Sequence, residues 1–99
     1  MSYVIEQMLS TREGWAHLHE VFSGRLRDLM ENLRMKGPRT QVALKATTGE
    51  IQTLWFYSTI GRTPSEYGPL YTKYYLVEPG WWILDLLEKM AKDDEVGDL

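Results

Sequence analysis

Leu54, Trp55, Phe56 and Tyr57 stand side by side in a chain of 99 residues. Successive side chains of a strand point to opposite faces, so this run predicts a sheet that is apolar on both sides. Helices of the same chain can cover one face. The other then needs a cover of its own, from this molecule or from another.

The flanking pattern supports a strand. Across "QVALKATTGEIQTLWFYS" the apolar residues recur with period two, which predicts a hairpin over residues 41–58 turning at Thr48-Gly49. Val42, Leu44 and Ala46 then share a face with Ile51, Thr53 and Trp55, while Leu54 and Phe56 look the other way. "LYTKYYLV" predicts a third strand. Its parity stays open between Tyr71, Lys73, Tyr75 and Val77 inward and Thr72, Tyr74 and Leu76 inward.

Helical signals bracket this region. Residues 3–9 suit a short helix, and Ser10 three residues before Glu13 forms a capping-box pattern that predicts one long helix over about residues 11–35. Trp15, Leu18, Phe22, Leu26, Leu29 and Leu33 line one stripe of it, and Gly37-Pro38 ends it. A last helix is predicted over about residues 80–92, with Trp82, Ile83, Leu86, Leu87 and Met90 facing the core and Trp81 on the side of Asp85, Glu88 and Lys92. The resulting expectation is an α+β fold: a long N-terminal helix, a three-stranded antiparallel β-meander, and a C-terminal helix packed on the sheet. Residues 1–92 form one domain and residues 93–99 an acidic flexible tail.

Composition narrows the function. Without cysteine there are no disulfides, zinc thiolates or thiol nucleophiles, and a cytoplasmic protein is expected. The opening "MSYVIEQMLS" lacks a basic stretch and does not read as a signal peptide; no apolar run is long enough to span a bilayer, so no membrane partner is expected. Of the net charge of -3, residues 85–99 carry -4 and the remainder +1. A near-neutral body exerts no global pull on nucleic acid.

Surplus aromatic surface without recognisable chemistry points to a non-catalytic protein-binding module, a small regulator or inhibitor or a homodimer, docking through Leu54, Phe56, Tyr74 and Trp81. The second expectation is a nucleic-acid or nucleotide binder. Its cations are Arg39 and Lys45, in a stretch free of acid from Met35 to Lys45, with Arg62 in the loop 58–69, Lys73 and the sheet tyrosines. No catalytic set, cofactor or metal is expected. "GRTPSEYG" has no Walker or dinucleotide spacing, and there is no HExxH and no serine elbow. His17 and His19, about 200° apart on a helix, cannot share a metal ion. His17 does share a face with Glu13 and Glu20.

Overall fold

Gly24 divides the predicted long helix. It adopts φ 99, ψ -128, a conformation that side-chain-bearing residues rarely take, and the chain turns there. The computed structural model describes the backbone of residues 2–97 and the side chains of residues 5–92, so the expected tail at 93–99 lies outside the fully described residues. Its N-terminal part is α1, Ser2–Leu9, where the short helix is expected, followed by α2, Arg12–Phe22, and α3, Arg25–Lys36, in place of one long helix. The apolar stripe survives the break: Leu18, Phe22, Leu29 and Leu33 are buried, and Trp15 and Leu26 pack against them.

The start of α2 also differs from the expected Ser10–Glu13 box. Thr11 is the cap, its hydroxyl accepting from the Gly14 N–H at 3.0 Å, while Ser10 donates to the Gln7 carbonyl. Gly14 is required for packing, because a Cβ there would run into the backbone of Met8.

After Gly37, whose N–H closes on the Leu33 carbonyl at 3.0 Å, come β1, Arg39–Thr40, α4, Gln41–Leu44, and α5, Thr48–Phe56. The predicted hairpin over residues 41–58 is therefore not formed. Its supposed turn is a helix start: the Thr47 hydroxyl accepts from the Glu50 N–H at 3.1 Å, and the Glu50 carboxylate accepts from the Thr47 N–H at 2.8 Å. This box satisfies two donors that a turn at Thr48-Gly49 leaves open, and it brings Ile51 and Leu54 into the core.

The box has a measurable signature. Thr47→Ala is expected to destabilise the protein by about 1 kcal/mol. The Thr47 N–H, with help from Arg25, holds the Glu50 carboxyl below its ordinary value of 4.5. A lowered folded-state value means that the stability it lends is present above 4.5 and is lost as pH falls through the lowered value. Urea unfolding of wild type and Glu50→Gln at a series of pH values should show the two curves converging in acid. A constant gap down to the lowest pH reached would contradict the assignment.

The chain continues with β2, Ile60–Thr63, a 3-10 turn at Pro69–Tyr71, β3, Lys73–Leu76, and α6, Glu78–Gly97. The sheet is antiparallel with three strands, as expected, but its order is β1-β3-β2 and it is not a meander. Residues 41–59 are spent on α4, α5 and their exits, so β1 and β2 each pair with β3 from opposite sides. Arg39, Tyr74 and Arg62 lie in one row across the sheet, and Thr40, Lys73 and Thr63 in the next. The open parity resolves with Tyr74 and Leu76 packed on the core and Lys73 and Tyr75 exposed.

The last helix begins earlier than expected, at Glu78, and buries Ile83, Leu84, Leu86 and Leu87. Its main packing partners are α1, α2 and α3 and not the sheet, which instead is backed by α3. Arg34 ties α3 to α6 by an ion pair with Glu88 at 2.9 Å and a guanidinium 5.9 Å from the Trp81 ring, while pairing with Glu31 of its own helix at 2.6 Å.

Candidate nucleic-acid interface

The two helices that replace the expected hairpin are joined by three residues, Lys45, Ala46 and Thr47. Lys45 sits in the left-handed conformation, φ 56, ψ 37, and its N–H caps the Gln41 and Val42 carbonyls. A turn of this length is the kind of connection that joins the two helices of a helix-turn-helix. Arg25, at the start of α3, braces it by pairing with the Glu50 carboxylate at 3.2 Å and donating to the Lys45 carbonyl. Across the turn, the Gln41 amide donates to the Thr48 hydroxyl at 3.3 Å.

Helix α5 presents a defined outer face. Thr48, Gln52 and Trp55, at spacings of four and three, fall on one exposed stripe, with Phe56 beside it. Ile51 and Leu54 point inward. Glu50, the helix's single carboxylate, lies about 200° from Gln52 and is held in the capping box and by Arg25. The outward stripe is thus polar or aromatic, and uncharged.

The hairpin of β2 and β3 stands next to this face. Arg62 on β2 lays its guanidinium 5.0 Å from the Trp55 ring centroid. Between helix and hairpin runs a groove of about 390 Å³, lined by Gln41, Thr48, Ile51, Gln52, Trp55, Phe56, Arg62 and Tyr74. The hairpin loop, residues 64–72, exposes Tyr67, Leu70 and Tyr71 at its tip.

The cations singled out in the sequence are dispersed over the fold: Arg39 is on β1, Lys45 in the turn, Arg62 on β2 and Lys73 on β3, and of these Arg62 lines the groove. Arg39 and Arg62 flank Tyr74 in one cross-strand row, whereas Lys73 belongs to the neighbouring row, on the opposite face of the sheet and next to the hairpin loop. None of the four makes an ion pair with a described residue. Their neighbourhood is distinctive: residues 34–77 contain six lysines and arginines against Glu50 and Glu66, while the rest of the chain has five against twelve carboxylates. The near-neutral body inferred from the linear sequence therefore conceals a cationic region.

The four protein-docking candidates do not form the single sheet face expected of them. Leu54 is on α5, wholly buried, and it cannot contact a partner. Phe56 is 78% exposed at the end of α5 and, like Tyr74, lines the groove, whereas Trp81 is on α6 under Arg34. Reading residues 48–56 as a strand hides the Thr48–Gln52–Trp55 stripe. Thr47-x-x-Glu50, the same pattern that predicts the start of the first helix, is the signal that reveals it.

His17 is paired with the Tyr57 hydroxyl at 2.9 Å. Among the described residues no cluster of histidine and carboxylate side chains could hold a metal ion, and no helix is long and apolar enough to cross a membrane. Comparisons with protein-family models, curated proteins and solved structures find no match to this chain.

Proposed function

We propose that this protein binds double-stranded DNA, with α5 in the major groove and the β2–β3 hairpin against the adjoining backbone. A helix followed by a strand, a helix-turn-helix and a hairpin is the winged helix-turn-helix order, in which the second helix of the turn motif enters the groove. Fold analogy alone would not carry a function. The observation that does is the uncharged, exposed stripe of α5 with Arg62 stacked on its Trp55, Lys45 in the turn that precedes it and Arg39 in the cross-strand row of Arg62, in the cationic part of an otherwise acidic chain.

The chemistry matches a duplex. The B-form major groove, about 12 Å wide, admits a helix. The corresponding groove of A-form RNA is too narrow for side chains to read. Free cations at the rim suit phosphates, and the acidic remainder of the protein favours one orientation on approach. Cytoplasmic residence, expected from the sequence, belongs to this reading.

Fluorescence anisotropy with a labelled duplex of about 20 base pairs tests it. Binding is expected at roughly 0.05–0.1 M salt, with log affinity falling against log salt at a slope of about -3 to -4 if four phosphates are neutralised. No binding at about 0.05 M salt, or a flat salt response, overturns the proposal.

A second reading keeps the expected non-catalytic protein-binding role. It rests on Phe56, 78% exposed beside an apolar cleft of about 440 Å³ lined by Trp55, Ser58, Ile60 and Val77. Light scattering of wild type and Phe56→Glu tests the homodimer form: a monomeric wild type removes it.

A further inference from the structure

We infer that the α5 stripe reads adenine–thymine base pairs, with Gln52 as the adenine reader. The inference rests on the duplex-binding proposal and deepens it by naming the base. The argument starts from what the stripe lacks. The commonest specific contact in the major groove is a bidentate arginine or lysine on guanine O6 and N7, and it needs a cation on the inserted helix. Between Thr48 and Phe56 there is none. Lys45 precedes the helix, Arg39 is on β1, and Arg62 is stacked on Trp55. The bidentate cation contact to guanine is therefore not open to α5.

Gln52 supplies the complementary chemistry. Its carboxamide has a donor and an acceptor side by side, matching adenine, whose N7 accepts and whose N6 amino group donates. The side chain is exposed on the groove and makes no hydrogen bond with any described residue, so both ends are available to a base. It stands four residues after Thr48, one turn further along the same stripe. The Gln41 amide holds the Thr48 hydroxyl at 3.3 Å, and the threonine methyl group is of the type that meets the thymine C5 methyl. On the other side Trp55 is kept in place by Arg62, so the ring walls the groove beside Gln52. One amide and one methyl-bearing residue on a single face then specify adenine and thymine together.

The test selects bound duplexes from a randomised pool and then measures affinity by anisotropy on the selected duplex and on versions changed one base pair at a time. Wild type should enrich adenine at one position per bound site and discriminate against guanine there by roughly 5- to 150-fold. Gln52→Ala should flatten the preference at that position alone. Gln52→Arg should move it to guanine. Both variants should melt as wild type does, because Gln52 is exposed and unbonded. Duplex binding without base preference, or with a preference that Gln52→Arg leaves unmoved, overturns the adenine assignment and leaves duplex binding standing. Absence of duplex binding overturns both.

Discussion

Leu54→Ala is expected to lower stability by about 2–5 kcal/mol, while Phe56→Ala, two positions along the same helix, changes it by no more than about 0.5 kcal/mol. The contrast follows from placement: Leu54 is at 0% exposure and Phe56 at 78%. Removing the Leu54 side chain leaves a cavity where α5 meets the core, and the missing packing adds to the forfeited transfer energy. A domain of this size has a total stability of roughly 5–15 kcal/mol and shifts its Tm by about 4–8 °C per kcal/mol. Leu54→Ala should therefore melt roughly 10–30 °C lower, or fail to fold. Urea unfolding of both variants is the measurement. Equal destabilisation of the two would mean that residues 48–56 do not present the faces described.

The second large effect is on binding. Replacing Arg39, Lys45 and Lys73 together by alanine should weaken duplex affinity about a thousandfold at roughly 0.1 M salt, on the order of tenfold per charge. The slope of log affinity against log salt should become shallower by about one for each phosphate left without its cation. These three cations make no ion pair with a described residue, so the urea midpoint should stay near that of wild type. The same substitutions weaken all sequences alike, which separates them from changes at Gln52. A triple variant that retains wild-type affinity and slope would place the duplex elsewhere on the protein.

Some parts of the structure are readable residue by residue. The stripe from Trp15 to Leu33 points to the core as its spacing requires, and Gly37 ends α3 with a positive φ of 80. The strand at Lys73–Leu76 and the inner arc of α6 are visible for the same reason, since each is a regular repeat bounded by turn residues. Gly24 is legible as a defect but not as a break, because an isolated glycine costs a helix only about 1 kcal/mol and packing decides whether the chain turns there. The site is legible as a set of cations and illegible as a surface. Arg39, Lys45, Arg62 and Lys73 can be named from the sequence, but their relation to an exposed helix cannot be read as long as the period of residues 41–56 suggests a strand.

What the sequence determined by itself was local: that a helix stops at Gly37, which residues of α2, α3 and α6 are apolar together, and that the chain is of mixed α+β type. Those properties depend on side chains within one or two turns of each other. Tertiary structure alone decided that Leu54 faces in and Phe56 out, that β3 lies between β1 and β2, and that Arg62 comes to rest on Trp55 beside the α5 stripe. A short apolar run satisfies strand and helix periods about equally well, and only the packing of Ile51 and Leu54 against the other helices distinguishes them.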